Sequence, residues 1–413
     1  MNKSIKVKYK FGLTTIIFIS LVLGILFGIF FPSTIVNFKF LGDIFLNLIQ
    51  MNIILLVMGQ IIEAIGKLEI HKIGRIGGKT VVIFAVSSLL AAVWGIVFGV
   101  ILKPGSGVEV ISNEAITTGS QQSFQDIITS FFPRNIFAAM TEGSVVQVIV
   151  FSIFIGLAIS IHNSKKNSNA FIPAIENFNS VIMEAINLIM YFAPIGVFSL
   201  ISSTIASFGL EIIVPLIKYL VVYGLATLLF LLLWLFVISA RVKVSIFLLI
   251  KKLTEVSMMA IATVSSAVSL PLAIKTARDK LGVDEKTTSL VVPLGMPLNS
   301  NGAAMHMAIT VIAVAQMYSI SYDFNQLIYI AVLATLSSLA NAVVPGASLV
   351  SLAIIIPQVG LPTESIAMFA GVDYLVGMLR TILNVDSDIF TSVLVANSEN
   401  TLDRATLLDG NKI

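Results

Sequence analysis

Four polar residues fall on one side of the last long apolar segment, which runs from about residue 364 to 397. Intervals of seven, four and four residues keep them near one face of a helix; they are Asp373, Arg380, Asn384 and Asp388. A charge at mid-bilayer costs about 2.5–3.5 kcal/mol even on lenient scales, so this face must point into protein or a cavity. One interpretation is that Arg380 binds an anion and Asp388 a cation. The other is that Arg380 pairs with an aspartate and holds the helices together.

A second polar segment interrupts an apolar helix between Pro293 and Gly302. Its sequence, PLGMPLNSNG, contains two prolines and two glycines, and a proline frees a helical carbonyl because it lacks an N–H. Carbonyl and amide oxygens suit a hard cation such as Na⁺. The alternative is a kinked helix whose polar residues only pack. His306 follows this segment and is interpreted as a packed polar residue rather than a proton relay.

Two serine pairs interrupt two further apolar stretches. Ser265-Ser266 lies within residues 252–280 and Ser337-Ser338 within residues 326–364. Each half is too short to span, so both stretches are predicted to be re-entrant hairpins that enter from opposite faces. Such paired broken segments indicate a transporter binding site near the bilayer midplane. The serines offer donors to a carboxylate, although serine serves small-residue helix packing equally well.

The elements that must position these groups are membrane helices. The chain has 413 residues, 57% hydrophobic and 11% charged, with a mean hydropathy of +1.00, whereas a soluble domain carries roughly 25% charged residues. It has no cysteine, three histidines and a net charge of +3, which excludes thiolate sites and disfavours histidine metal clusters and nucleic-acid binding. There is no P-loop, HExxH, GxSxG or CxxC motif. ATP-driven transport, enzyme chemistry and any cofactor beyond a coupling ion are therefore not expected.

Six apolar stretches of spanning length precede residue 241. They lie near 11–31, 41–65, 80–102, 144–162, 181–207 and 213–240. Lysines and arginines are concentrated in alternate loops, so the positive-inside rule places those loops and the N-terminus in the cytoplasm. Residues 104–133 are then predicted to be a polar insertion outside, and residues 163–180 a polar linker inside. The first stretch is too long for a signal-peptide core and is predicted to remain as a membrane helix.

These motifs, taken together and in order, resemble those of the dicarboxylate/amino acid:cation symporters, a family that includes glutamate/aspartate transporters. The resemblance extends over nearly the whole chain. Its strongest parts are residues 265–271, 293–304, 337–346 and 371–388, with support from YFAPIGVF at 191–198 and IGRIG at 73–77.

The resemblance implies an all-α polytopic fold of eight transmembrane helices plus two re-entrant hairpins, with inverted repeats, in a homotrimer that works by an elevator motion. Residues 1–240 would be mainly trimerisation scaffold (helices 1, 2, 4 and 5), with transport-domain helices 3 (about 80–102) and 6 (about 213–240). Residues 241–400 would form the transport-domain core. Its parts would be hairpin 1 (about 252–281), helix 7 (about 286–320), hairpin 2 (about 326–362) and helix 8 (about 364–397). Residues 401–413 would be a cytoplasmic tail, and the protein would lie in the cell membrane with both termini in the cytoplasm.

The resemblance also implies roles for individual residues. In the family, hairpin-1 serines and a helix-8 asparagine hold the main-chain carboxylate of the substrate, and a helix-8 arginine holds the side-chain carboxylate. The implied substrate-binding set is Ser265, Ser266, Ala303, Val344, Gly346, Asp373, Gly377, Arg380, Thr381 and Asn384. The implied cation sites combine helix-7 carbonyls with a helix-8 aspartate, backbone under hairpin 2, and helix-3 hydroxyls. That set is Gly295, Asn299, Asn301, Asn384, Asp388, Ser87, Ser88, Pro297, Ser338, Leu339 and Asn341.

Several residues depart from the family pattern: Ala340, Asn341 and Val343 partly replace glycines at the tip of hairpin 2, and three departures fall on residues that bind cation or substrate. Asn301 stands where the family has an aspartate in the third cation site, and an amide offers an oxygen without negative charge, so this site is expected to be weak or absent. Ala303 replaces a threonine that helps to hold the side-chain carboxylate. Gly377 replaces the aspartate that holds the substrate ammonium, and a buried ammonium without a counter-charge is strongly disfavoured.

These departures favour an organic acid such as a C4-dicarboxylate over glutamate. The expected function is secondary active import of a small anionic organic solute, a dicarboxylate or an acidic amino acid, coupled to Na⁺ or H⁺. The alternatives are an uncoupled anion facilitator or channel, and a transporter of a non-acidic amino acid.

Overall fold

The computed structural model describes residues 13–67, 70–107, 125, 129–166, 171–209, 213–339, 347–369 and 372–410. Within these ranges the chain is helical and contains no β-strand. The α-helices, in chain order, are α1 (Leu13–Phe30), α2 (Pro32–Ile35), α3 (Lys39–Gly66), α4 (Ile70–Leu102), α5 (Ile136–Thr141), α6 (Val145–Lys166), α7 (Phe171–Met190), α8 (Ala193–Phe208), α9 (Ile213–Val242), α10 (Ile246–Thr263), α11 (Ser266–Lys275), α12 (Glu285–Leu298), α13 (Asn301–Met317), α14 (Phe324–Ser338), α15 (Ala347–Gln358), α16 (Ser365–Phe369), α17 (Asp373–Glu399) and α18 (Arg404–Leu408).

Five helical stretches in this part of the chain are long and apolar enough to cross a membrane. They are Pro32–Gly66, Gly74–Leu102, Val145–Lys165, Ile213–Val242 and Glu285–Met317. Large apolar side chains on these helices point outward; Val82 is 61% exposed and Phe236 63%. Such a surface is stable where the solvent is lipid, so the protein is a multi-pass membrane protein.

The fifth predicted span, residues 181–207, is not a single helix. α7 ends at Met190, α8 begins at Ala193, and the two helices are bent by 55°. Pro194 lies in the first turn of α8. Because proline has no N–H to continue the preceding helix, the chain breaks and changes direction here.

The predicted polar linker at residues 163–180 is helical over most of its length. α6 continues to Lys166 and α7 begins at Phe171. In α7 most of the polar residues are exposed, whereas Ile172, Ile182 and Ile186 are buried. This is the pattern of an amphipathic helix, which polarity alone does not distinguish from a loop.

The helices pack in two groups. α1, α3, α6, α7 and α8 pack chiefly on one another, whereas α4 packs along α13, and α17 is surrounded by α9, α10, α12 and α13. The α4–α13 contact is close because a Cβ at Gly95 would lie 2.8 Å from the Met305 carbonyl oxygen. Small residues permit such approaches between membrane helices. α17 therefore lies at the centre of the second group.

Hairpin 1 consists of α10 and α11 with the π-helical turn Thr276–Lys280 that follows them. Its tip lies at the predicted serine pair. Val264 adopts a left-handed conformation (φ 50°, ψ 33°), and Ser265 caps α11 by accepting a hydrogen bond from the Val268 N–H at 3.3 Å. A β-branched residue is strained in this conformation, so packing around the tip must stabilise it.

Hairpin 2 consists of α14 and α15. Asp323 and Gln326 form a reciprocal capping box that begins α14, and the helix ends at Ser338. Residues 340–346, which connect the two arms, lie outside the described residues. They include Asn341, Val344 and Gly346 of the predicted site.

The polar break in helix 7 is shorter than the predicted segment 293–302. Only Asn299 and Ser300 separate α12 from α13, and both prolines lie within α12. A proline removes one hydrogen bond, but it does not by itself end a helix whose side chains are well packed. The predicted helix 8 is also shorter at its start, because α16 is separate and α17 begins at Asp373.

Residues 401–410 fold onto the base of hairpin 1. The fully buried Lys252 of α10 donates hydrogen bonds to the carbonyls of Lys280 (2.7 Å) and Thr406 (2.8 Å). The backbone of Asp403 donates to the Gly282 carbonyl at 2.8 Å, and Leu407 is fully buried. A lysine buried in this way must use its donors on protein acceptors, so both arms of hairpin 1 and the segment after α17 are joined.

Candidate functional site

The predicted polar face of α17 points into the second helix group. Arg380, Asn384 and Asp388 are 5%, 6% and 4% exposed. Because α9, α10, α12 and α13 enclose the helix, these groups are shielded from lipid. Shielding is the condition under which charged and amide groups persist at this depth.

Arg380 lies among aromatic and acidic groups. It interacts electrostatically with Asp373, two turns earlier on the same face of α17, and with the phenol groups of Tyr219 and Tyr223 on α9. Among the described residues, Oδ1 of Asp373 is buried without a hydrogen-bond partner. The acid therefore keeps unused acceptor capacity beside the guanidinium, and the pair is not a closed structural unit.

Asn384 joins α17 to the start of α13. Its Oδ1 accepts a hydrogen bond from the Gly302 N–H at 2.7 Å, and the Gly302 carbonyl accepts one from the Tyr223 hydroxyl at 2.9 Å. A Cβ at Gly302 would lie 2.4 Å from the Arg380 carbonyl oxygen, so only glycine fits there. The oxygen of Asn384 is thus engaged, and the amide donors are the part of this side chain available to a carboxylate.

Gly377 contacts the tip of hairpin 1. A Cβ at this position would lie 2.6 Å from Cγ1 of Val264. On the other side, the Thr381 hydroxyl donates to the Gly377 carbonyl at 2.7 Å. The volume that a side chain at residue 377 would occupy is therefore filled by a methyl group. Ala303, in the first turn of α13, is fully buried.

The two serine pairs differ in what they leave available. Ser265 uses its hydroxyl as the cap of α11, whereas Ser266 is the first residue of that helix, where backbone N–H groups have no intrahelical partner. Such a helix start favours an anion. The Ser338 hydroxyl donates a hydrogen bond to the Thr335 carbonyl at 2.7 Å and is therefore engaged. A cation at Ser338 and Leu339 would bind the backbone of these residues.

A cluster of oxygens joins α4, the helix-7 break and α17. Ser88 donates to Oδ1 of Asn301 at 2.9 Å, and Ser87 lies 3.2 Å from both Oδ1 of Asn301 and Oδ1 of Asn299. Asn299 in turn donates through Nδ2 to Oδ1 of Asp388 at 2.8 Å. Five residues that are up to 301 positions apart in the chain (87 to 388) are thereby brought together.

Gly295 completes this cluster on the α12 side. A Cβ there would lie 2.1 Å from Oδ1 of Asp388, and the Gly295 carbonyl accepts the Asn299 N–H at 2.7 Å. Pro297, two residues before the break, is half-buried in the same helix. The oxygens are hard ligands and include one carboxylate, so the donor set fits Na⁺.

A crevice of about 320 Å³ lies between α4 and α9. Its lining is apolar except for Ser87 and includes Val82, Leu90 and Trp234. It offers no charged group to a carboxylate, so it is not a candidate for the anion site.

Comparison with known proteins identifies the framework that carries these groups. The family model described as the sodium:dicarboxylate symporter family matches residues 13–398. The chain belongs to this family. It is 33% identical to the proton/sodium-glutamate symport protein of Geobacillus stearothermophilus (94% of this chain, 95% of that protein) and 32% identical to the proton/glutamate-aspartate symporter of Escherichia coli K12 (97% and 95%). It is 29% identical to the C4-dicarboxylate transport protein of Laribacter hongkongensis (94% and 89%).

Two groups at the site of this member of the sodium:dicarboxylate symporter family were missed by sequence reasoning. Tyr219 and Tyr223, which lie beside Arg380, belong to a long apolar helix and carry no motif. Asp386 lies outside the site, off the predicted face of α17; its carboxylate oxygens accept the Ser257 hydroxyl at 3.0 and 2.9 Å.

Proposed function

We propose that the protein imports a C4-dicarboxylate together with a cation, in a trimer whose second helix group moves against the first. The contact between Gly377 and Val264 is the observation that favours a dicarboxylate over an amino acid. An α-amino acid brings an ammonium group, and here a methyl group fills the space beside α17 in which a carboxylate would balance it. A dicarboxylate needs no such partner and still satisfies Arg380.

The other parts of the proposal are supported by the cation cluster and by the packing. Asp388, Asn299 and the α4 serines supply oxygens beside the helix-7 break. α1, α3, α6, α7 and α8 form a separate packing group that suits a scaffold. The relatives are named as symporters of glutamate, aspartate or C4-dicarboxylates, with protons or sodium as the named ions.

The test is uptake of labelled succinate by purified protein in liposomes. We expect accumulation above the equilibrium level when an inward Na⁺ or H⁺ gradient is imposed, and loss of accumulation when an ionophore collapses that gradient. Malate and fumarate should compete, and aspartate and glutamate should compete weakly. Filling only to the equilibrium level would indicate a facilitator, and high-affinity glutamate or aspartate uptake without a response to succinate would overturn the substrate.

Selectivity should change when the missing charge is restored with room to hold it. The double variant Gly377→Asp with Val264→Ala removes the methyl that lies 2.6 Å from a Cβ at residue 377. A close charge pair at a desolvated site is worth about 1.5–7 kcal/mol, so we expect aspartate affinity to rise by about tenfold or more. Binding of labelled aspartate measures this. The uncharged pair Gly377→Asn with Val264→Ala is the matched control, and an equal gain in both variants would show that space rather than charge is responsible.

A further inference from the structure

His306 lies in the middle of α13 and faces the arginine that the proposed substrate requires. The side chain is 1% exposed. Its ring centroid lies 5.8 Å from that of Tyr223 and 6.4 Å from that of Tyr219, and its charge state is coupled electrostatically to Arg380. A histidine is therefore built into the same buried cluster as the anion-binding group.

The ring nitrogen Nδ1 of His306 has no hydrogen-bond partner in the described part of the chain. A buried polar atom left in this state costs about 1–3 kcal/mol. Such an atom needs a polar partner that the described side chains do not supply. Oδ1 of Asp373, on the other side of Arg380, is unpartnered in the same way. The cluster thus has capacity for a further polar ligand.

We propose that Nδ1 of His306 takes up a proton when the dicarboxylate binds, so that one proton is transported with each substrate. This deepens the proposed function and rests on it. Before the anion arrives, burial between the helices and, to a lesser degree, the charge on Arg380 both oppose a positive charge on the imidazole. A bound carboxylate cancels that opposition. The imidazolium then compensates part of the second negative charge that a dicarboxylate brings into the membrane interior.

The other charged and titratable groups around the imidazole are consistent with this coupling. Tyr219 and Tyr223 face it from α9, and Arg380 faces it from α17 with Asp373 beyond. No lysine, arginine, aspartate or glutamate occurs in the other helices near α13. These are residues 80–102 of α4 and the helices α14, α15 and α16. Apart from the substrate itself, the local charge is set by Arg380 and Asp373.

Thermodynamic linkage makes the proposal measurable. If protonation of His306 strengthens substrate binding, substrate binding must strengthen proton binding by the same factor. Titration calorimetry of the full chain in detergent, with succinate as the probe and in buffers of different ionisation enthalpy, counts the protons taken up. We expect up to about one proton per succinate near neutral pH and a Kd that weakens by up to about tenfold per pH unit as the pH rises. His306→Gln and His306→Asn should bind succinate without proton uptake and with a Kd independent of pH.

Two controls separate this site from others. His162→Gln changes an exposed histidine on α6 and should leave the proton count unchanged. Asp386→Asn tests a buried acid of α17 that lies outside the cation cluster. The proposal would be overturned if this variant lost proton uptake while both His306 variants retained it. Zero uptake by the wild-type protein would do the same, even if the His306 variants do not fold. If the wild-type protein binds no dicarboxylate under any condition, it is the proposed function that fails.

Discussion

Replacing Arg380 with alanine is expected to abolish dicarboxylate uptake and leave a folded protein. Removing one partner of a buried charge pair costs about 2–5 kcal/mol, which corresponds to a loss in substrate affinity of about 30-fold or more. Here the loss has two sources. The substrate carboxylate loses its cation, and the half-buried Asp373, whose Oδ1 atom is fully buried, remains beside the site without the positive charge that it interacts with. Succinate binding and liposome uptake measure the effect, and size-exclusion and thermal unfolding report on the fold.

The matched control for this experiment is Arg278→Ala. Arg278 pairs with Asp279 and Glu285 at the protein surface, and exposed pairs of this kind contribute about 0–1 kcal/mol. Uptake should be unchanged in this variant. If Arg380→Ala transports succinate with an unchanged KM, Arg380 holds helices together and the anion site lies elsewhere.

The second large effect is expected on cation dependence in Asp388→Asn. Asp388 is the carboxylate of the oxygen cluster that also contains Asn299, Asn301, Ser87 and Ser88. An amide keeps the shape and one oxygen but removes the negative charge, so the cluster becomes neutral. We expect sodium stimulation of succinate uptake to disappear, or to require about 100-fold more sodium, the equivalent of about 2.7 kcal/mol.

Asp386→Asn is the control for Asp388→Asn. It makes the same chemical change two residues earlier in the same helix, at a carboxylate that is equally buried but bonded to Ser257 of hairpin 1. Its sodium response should match that of the wild-type protein. An unchanged sodium response in Asp388→Asn would remove this residue from the cation site.

The functional face of α17 could be predicted because it depends only on spacing within one helix. Arg380, Asn384 and Asp388 repeat every four residues in an apolar segment, and charge at that depth must face inward. Likewise, the pair Ser265-Ser266 marked the tip of hairpin 1 because polar residues that interrupt an apolar stretch give a local signal; in the structure Ser265 caps α11.

Contacts between distant segments could not be predicted in this way. Val264 fills the space at Gly377 only because hairpin 1 and α17 pack together, and nothing in either local sequence encodes that pairing. The tyrosines beside Arg380 come from α9, which reads as an ordinary apolar helix. Pro293 and Pro297 suggested a long unwound segment, but packing on α17 and α4 keeps α12 helical as far as Leu298.

The lysine buried at the base of hairpin 1 determines which end of that hairpin can change its conformation most readily. Lys252 bonds to the opposite arm at Lys280 and to Thr406, so parting the arms there would break two charge-assisted hydrogen bonds, each worth about 1.5–3 kcal/mol. The arms are therefore held together at the base, whereas the tip is strained where Val264 adopts its left-handed conformation. Hairpin 1 should be stiff at its base and deformable at its tip around Val264.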